Sequence, residues 1–165
     1  MLETADDLER LQRLLDESIE RAAPFLRSSF QMPECSLSAE ELAARLEGPL
    51  TVALATVTAG GKPRVAPINA LFVRTAFYAP TVAEAARARH LARWPAASLT
   101  YFEAMDLAVI AHGHVAIIAE RDAAFAELDA TQVALGCPSP SEWSGHGVYL
   151  KLEPSSLYTY VRRDP

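Results

Sequence analysis

Two arginines in the middle of the chain are the residues best suited to binding an anion. Arg64 lies in an alternating run that predicts a strand, and Arg87 lies in the first turns of a predicted helix. Free backbone N–H groups and the helix dipole favour an anion at a helix N-terminus, and a guanidinium group matches the oxygens of a phosphate. We expect the two arginines to bracket this helix end and to bind a phosphate.

The distribution of charge is consistent with an anionic ligand in this region. The chain has 165 residues, with 15 Lys or Arg, 21 Asp or Glu and a net charge of -6. The first 48 residues account for all of this negative charge, whereas positions 62–93 carry six bases and only one acid, Glu84. A solvated helix face combined with charges on an edge strand would give the same composition, so both interpretations stay open.

Composition also excludes several classes of partner. General nucleic-acid binding requires a basic surface, which a net charge of -6 does not favour. No uninterrupted apolar run approaches the roughly 18 residues of a membrane helix. The first seven residues are acidic, whereas a secretory signal begins with basic and then apolar residues. We therefore expect a soluble, cytoplasmic protein without nucleic-acid or membrane partners.

Helix starts are indicated by a hydroxyl residue followed three positions later by an acid, the spacing of a capping box. This spacing occurs at Thr4–Asp7, Ser38–Glu41 and Thr81–Glu84. The three helices are predicted to end before Pro24, at Gly48–Pro49 and at Pro95. Residues 25–37 are predicted to be irregular, and residues 1–48 together to form an N-terminal helical extension.

From residue 50 onward the patterns are mainly those of strands. The segment from Leu50 to Val57 alternates with apolar residues on both faces, so we expect a strand buried on both sides, followed by a turn at Gly60–Gly61. Pro63 and Pro67 restrict the next strand to an edge or a bulge. The further predicted strands cover residues 64–72, 76–79, 97–102, 107–118 and 148–152, and residues 157–161 alternate again.

Together these elements predict one domain of mainly β structure with helical additions (α+β). A fourth helix is predicted over residues 123–135, where Gly136 ends it. About six strands with few, short helices favour a small antiparallel barrel over a parallel doubly wound sheet. Residues 49–165 would form this barrel domain.

Several motifs occur in an order that indicates a family. They are Leu54-Ala55-Thr56-Val57, Gly61-Lys62-Pro63-Arg64-Val65-Ala66-Pro67, Phe77-Tyr78-Ala79-Pro80-Thr81, Arg87-Ala88-Arg89-His90-Leu91, Pro95 and His112-Gly113-His114-Val115. In order and spacing, over residues 50–120, they resemble the flavin-binding split-barrel family that includes pyridoxamine 5'-phosphate oxidases and deazaflavin-dependent reductases. Each motif alone is degenerate, so the resemblance rests on their common register.

The resemblance implies a homodimer of six-stranded split barrels with two FMN sites at the subunit interface. It places the cofactor phosphate near Arg64, Thr81 and Arg87, and the flavin ring along the backbone of the second strand. The cofactor-binding residues implied are Arg64, Ala66, Pro67, Ile68, Asn69, Pro80, Thr81 and Arg87. Aromatic and basic residues of the partner often close such a site, and by their location the candidates are Trp143, Tyr158, Tyr160 and Arg162.

The chain departs from the oxidase pattern at four positions. Ala85 and Ala86 replace a Ser-Arg pair, Ala108 replaces a glutamine and Asn69 replaces a lysine. These departures weigh against the vitamin-oxidising activity itself and against tight FMN binding. The leading hypothesis is an FMN-dependent oxidoreductase that acts on a small organic molecule. The cofactor performs the redox chemistry, so no catalytic acid or nucleophile is required.

Two alternative functions stay open on the sequence. A deazaflavin coenzyme has a long anionic tail, which would suit the basic run over residues 87–93. A non-catalytic protein that stores or senses a flavin or haem would tolerate the missing polar contacts. His112 and His114 point the same way from a strand but lack a third metal ligand, and His90 either touches an anion or is exposed.

Overall fold

The chain folds as an antiparallel β-barrel with helices around it, as its strand patterns predict. A computed structural model describes residues 3–163. Its helices are α1 (Ala5–Arg21), α2 (Pro24–Ser29), α3 (Ala39–Arg45), α4 (Ala86–Arg93) and α5 (Ala123–Ala134), with a 3₁₀ turn at Pro140–Glu142. Its strands are β1 (Leu50–Val57), β2 (Pro63–Val73), β3 (Ala76–Val82), β4 (Ala96–Glu103), β5 (Leu107–Ala119) and β6 (Gly147–Val161).

The six strands close into a barrel in the order β1-β2-β3-β6-β5-β4, and every neighbouring pair is antiparallel. Alternate side chains therefore point inward and form one core, which includes Leu54, Leu99 and Leu150. The predicted fold class, a six-stranded antiparallel split barrel with helical additions, is confirmed. Among residues 3–163, no helix combines the length and apolarity needed to cross a bilayer.

The hairpin between β1 and β2 sets the direction of every backbone group in β2. Its closing bond runs from the Thr58 N–H to the Lys62 carbonyl at 3.0 Å, and Gly61 has a φ of +73°, which glycine adopts without strain. Because antiparallel pairs alternate between bonded and non-bonded types, the even-numbered residues of β2 bond to β1. Pro63, Val65, Pro67 and Asn69 turn their backbone groups away from β1.

β2 has a free edge, as its prolines predict. It pairs with β3 only through residues 71–73, whereas its pairing with β1 covers residues 63–70. Over residues 63–70 its other side therefore has no partner strand within the described part of the chain. β3 continues past this point and pairs with β6 up to Val82. The barrel is thus split between β2 and β3.

Helix α1 packs against β6, and α3 packs against α1. Leu11 and Leu15 of α1 are buried in the main core. The hydroxyl of Ser18, which is fully buried, donates to the Leu14 carbonyl at 2.6 Å and accepts from the Leu157 N–H at 2.9 Å. Capping boxes at Thr4–Asp7 and Ser38–Glu41 start α1 and α3 as predicted.

The third predicted capping box, at Thr81–Glu84, is wrong. Thr81 is buried within β3, where it pairs with Val148 of β6. α4 begins at Ala86, and its N-cap residue, Ala85, makes no side-chain hydrogen bond. Strand pairing with β6 outweighs the local capping preference, and the Glu84 carboxylate instead accepts hydrogen bonds from His146.

Three further predictions need correction. Residues 25–37 are not wholly irregular, because Pro24 occupies the first turn of α2, a position that proline favours. The last two predicted strands are one strand, β6, in which a bulge opposite His112/Gly113 shifts the register. The outer face of β1 is not buried within the chain, since this strand belongs to the barrel wall and only its inner face meets the core. Thr51 and Val57 are exposed there.

Candidate cofactor-binding site

Arg64 and Arg87 line the same cavity. The cavity has a volume of about 260 Å³ and lies at the ends of β1 and β2, next to α4. Arg64 extends from the inward-facing side of β2, beyond the buried part of that strand, and Arg87 occupies the second position of α4. The cavity is lined by Leu54, Thr56, Arg64, Val65, Ala66, Ala86, Arg87 and His90. The two elements that carry the arginines therefore meet as predicted.

The charges of these two arginines are not neutralised by the described part of the chain. Neither guanidinium group forms an ion pair there. Arg89, in contrast, donates to the Glu84 carbonyl at 2.8 Å, and Arg93 lies over the Trp94 ring at 5.3 Å. The cavity thus has an excess of positive charge.

Glu84, the one acid in the basic run, is engaged elsewhere. Its carboxylate lies 2.5 Å from His146 Nδ1 and accepts a second bond from the His146 backbone N–H. These hydrogen bonds to His146, with that of its own backbone N–H, lower the pKa of Glu84 to about 2. The carboxylate is therefore ionised at neutral pH but does not line the cavity.

The start of α4 presents further hydrogen-bond donors. The first backbone bond of the helix runs from the Arg89 N–H to the Ala85 carbonyl at 3.1 Å, so the N–H groups of Ala86, Arg87 and Ala88 have no acceptor within the helix. The side chain of Ala85 cannot accept a hydrogen bond. Together with the two guanidinium groups, this helix end suits a ligand group with several anionic oxygens, such as a phosphate.

A second concavity lies farther along β2. It has a volume of about 50 Å³ and is lined by Pro49, Asn69, Ala70, Leu71, Pro80, Gln132, Cys137, Pro138 and Trp143. Residues 65–69 of β2, with their free edge, connect it with the first cavity. The free edge of β2 therefore runs from the positively charged first cavity to the second concavity, which Trp143 and Pro80 line.

The sequence-predicted residues are distributed over these two places. Arg64, Ala66 and Arg87 line the first cavity, whereas Asn69 and Pro80 line the second. Pro67 is exposed on β2 between them. The side chains of Ile68 and Thr81 are buried and line neither cavity.

Thr56 lines the first cavity although the sequence did not indicate it as a binding residue, and His90, for which contact with an anion and exposure both stayed open, lines it too. The hairpin register places Thr56 directly opposite Arg64, so the Gly60–Gly61 turn was the signal for this residue. His90 follows Arg87 by three positions and lies on the same face of α4. Its Nδ1 atom is buried and has no hydrogen-bond partner.

The remaining candidates lie on the outer surface of the barrel. Tyr158 and Tyr160 of β6 stand opposite Ile110 and Ala108, and Arg162 pairs with Asp106 at 3.0 Å. His112 lies 2.7 Å from the Ser98 hydroxyl, and both His112 and His114 are exposed. Within the described ranges, no group of three or more His, Cys, Asp and Glu side chains could hold a metal ion.

Sequence comparison identifies the family to which this barrel and its cavities belong. The family model described as pyridoxamine 5'-phosphate oxidase matches residues 38–160, which include all six strands except the last residue of β6. The chain belongs to the pyridoxamine 5'-phosphate oxidase family. This match confirms the resemblance seen in the short motifs. A search of curated protein sequences found no match.

Solved structures related to this pyridoxamine 5'-phosphate oxidase family member share its fold at low identity. An F420 reductase is 18% identical, with a TM-score of 0.57. The match covers 69% of this chain and 93% of the reductase chain. A pyridoxamine 5'-phosphate oxidase-related, FMN-binding protein from Nostoc punctiforme is 18% identical, with a TM-score of 0.53 and 88% of each chain covered. The haem storage protein HutZ from Vibrio cholerae is 16% identical, with a TM-score of 0.55, 73% of this chain covered and 91% of that chain.

Proposed function

We propose that this member of the family is an FMN-dependent oxidoreductase that acts on a small organic molecule. The observation that carries the proposal is the pair of unneutralised guanidinium groups, Arg64 and Arg87, in one cavity at the start of α4. A phosphate monoester supplies the charge that both groups lack and the acceptors that the helix N–H groups lack. These residues therefore fit the phosphate end of FMN.

The free edge of β2 is the part of the chain that fits the flavin ring. In the hairpin register, the N–H groups of Val65 and Asn69 point away from β1 and can donate to the polar edge of a ring. Pro67, between them, has no donor and offers an apolar surface. When bound, FMN supplies the electron or hydride transfer, and the residues of this chain bind and orient it.

The proposal includes a homodimer with the cofactor sites at its interface. The outer face of the barrel around β1 is formed by small and apolar side chains, and it includes Ala53, Ala55, Thr100 and Phe102. Phe102 is 62% exposed and Val65 is 71% exposed. Val65 also lines the arginine cavity, so a second copy packed on this face would border the site. Large apolar side chains exposed beside small residues are a feature of protein interfaces.

A deazaflavin-dependent reductase is the second candidate function. Arg89 and Arg93 extend the positive charge along α4 beyond the cavity. A coenzyme with a long anionic tail could use this charge, whereas FMN, with its single phosphate, could not. The likeness in fold to an F420 reductase supports the same candidate.

Titration of the purified apoprotein with FMN, riboflavin, a deazaflavin coenzyme and haem tests the proposal. We expect FMN to bind at least about ten times more tightly than riboflavin, because only FMN carries the phosphate that two charge-assisted contacts bind. Equal affinity for the two flavins would contradict the proposal, and preferential binding of the deazaflavin would favour the second candidate. A Soret band with haem alone would favour storage. Photoreduction of the bound flavin, followed by addition of candidate acceptors, would separate an enzyme from a carrier.

A further inference from the structure

One polar atom of a residue that lines the arginine cavity makes no hydrogen bond within residues 3–163. The Nδ1 atom of His90 is shielded from solvent and makes no hydrogen bond, a condition that it shares with only one other side-chain atom among residues 3–163, the Ser36 hydroxyl oxygen. Buried polar side-chain atoms are almost always hydrogen-bonded in folded proteins. Because the residue that carries this exception lines a cavity, a bound ligand is a candidate for the missing partner.

The surroundings of His90 supply no alternative partner for this atom. The cavity wall contains apolar side chains, the two guanidinium groups and the Thr56 hydroxyl. No carboxylate lines it, and the nearest acid in the sequence, Glu84, is bound to His146. Guanidinium groups are donors only, so they cannot accept a hydrogen bond from the imidazole. The Thr56 hydroxyl can accept a hydrogen bond but forms none with Nδ1, so we infer that the acceptor for an Nδ1–H enters with a ligand.

His90 is positioned to share one ligand with Arg87. The two residues are three positions apart on α4, a spacing that brings side chains together on one face of a helix. Arg64 approaches the same cavity from β2. Three donor side chains from two elements thus surround one space, together with the free N–H groups at the start of α4.

We propose that the imidazole of His90, which lines this cavity, turns its Nδ1–H toward the phosphate bound between Arg64 and Arg87 and donates a hydrogen bond to a phosphate oxygen as a third ligand. This inference rests on the proposed function, because it takes the phosphate of FMN as the ligand. His90 is then a specificity-determining residue, since its contact exists only for the phosphorylated form of the cofactor. The motif resemblance does not assign this residue a role.

Two substitutions at this position test the inference in the full chain. His90→Leu removes the donor, and we expect it to lower the affinity for FMN by about ten-fold while the affinity for riboflavin stays unchanged. His90→Asn keeps an amide donor near the position of Nδ1, and we expect it to restore most of the loss. Isothermal titration of each variant with FMN and with riboflavin measures both effects.

The melting temperature of the apoprotein gives a second readout. If His90 had a purely structural role, its substitution would lower this temperature. His90→Leu removes a buried polar atom that lacks a partner, so we expect the apoprotein to melt no lower than the wild type. A lower melting temperature together with weaker binding of both flavins would overturn the inference.

The remaining outcomes separate the inference from the proposed function. If Arg64→Ala weakens FMN binding but His90→Leu does not, the inference is overturned and the proposed function stands. If the wild-type protein does not bind FMN, both are overturned. Loss of FMN affinity in His90→Leu with full riboflavin affinity and an unchanged melting temperature supports the inference.

Discussion

Arg64 and Arg87 provide the clearest test at the scale of single residues. We expect Arg64→Ala and Arg87→Ala each to weaken FMN binding by about 1–3 kcal/mol, the range for loss of a charge-assisted hydrogen bond. Calorimetric titration measures these losses. If both guanidinium groups bind the same phosphate, their contacts are coupled. The loss of FMN-binding free energy in the double variant should then differ from the sum of the two single losses.

The matched control for these arginine variants is Arg13→Ala. Arg13 is exposed on α1, so this substitution makes the same change in net charge away from the cavity. We expect its FMN affinity to equal that of the wild type. A similar loss in all three single variants would mean that FMN responds to overall charge and not to a phosphate pocket.

The contact between Glu84 and His146 predicts a dependence of stability on pH. Hydrogen bonding to Glu84 raises the pKa of His146, and the reciprocal contact lowers the pKa of Glu84 to about 2. The contribution of His146 is therefore complete below its unfolded pKa of about 6.5 and is lost as the pH rises through its folded pKa. The contribution of Glu84 is present above about pH 4.5 and is lost as the pH falls toward 2.

We expect the free energy of unfolding to fall more between pH 6 and pH 9 in the wild type than in His146→Gln. Urea denaturation at the two pH values, at low and high salt, measures this difference. Both side chains are exposed, so the effect should be small and should decrease with added salt. Identical pH profiles for the two proteins would show that the contact does not contribute.

At the scale of elements, a buried hydroxyl of α1 bonds to the backbone of β6. Ser18→Ala would leave the buried Leu157 N–H without an acceptor, so we expect a loss of stability of about 1–3 kcal/mol. Urea denaturation measures this loss. Ser28→Ala, on the exposed face of α2, is the control and should change stability by less than about 0.5 kcal/mol. Equal effects of the two substitutions would rule out a role for the Ser18 hydroxyl in docking α1.

The capping-box spacing correctly predicted the start of two helices and failed for a third. At Thr4 and Ser38, the hydroxyl precedes a free helix end, so the capping box forms as its spacing predicts. At Thr81 the spacing is identical, but six residues of β3 pair with β6, and this long-range pairing keeps the threonine in a strand. Local spacing could not reveal that competition, because β6 lies far away in the sequence.

The sequence could predict the part of the candidate site that depends on the local register of the hairpin between β1 and β2. The glycine turn fixes the hairpin, and the hairpin places Arg64 at the open end of the barrel, where the resemblance also placed it. His90 and Thr56 were missed as a group with Arg64 because their convergence requires the packing of α4 against β1. The outer face of β1 was mistaken for a buried one because small apolar residues on both faces of a strand do not distinguish a strand buried on two sides from a barrel wall with an exposed outer face.

At the scale of the whole molecule, that outer face predicts self-association. We expect the wild-type protein to be a dimer at micromolar concentration, as measured by light scattering or size-exclusion chromatography. Phe102→Glu places a charge on the face and should weaken dimerisation at least about ten-fold, since an unpaired charge at an interface is costly.

Phe25→Glu makes the same chemical change on α2, where the aromatic ring is 84% exposed, and should leave the dimer intact. If Phe102→Glu also leaves the dimer intact, this face is not the interface. A wild-type monomer that binds FMN stably would contradict a site shared between two copies.

The free edge of β2 has one more consequence, which concerns solubility. An unpaired strand edge can template the addition of strands from other molecules and so begin fibril growth. In β2, Pro63 and Pro67 lie at the positions whose backbone groups face outward, so every second donor along this edge is missing. The prolines therefore deny neighbouring chains a continuous ladder on which to polymerise, although this edge of β2 has no partner strand within the described residues.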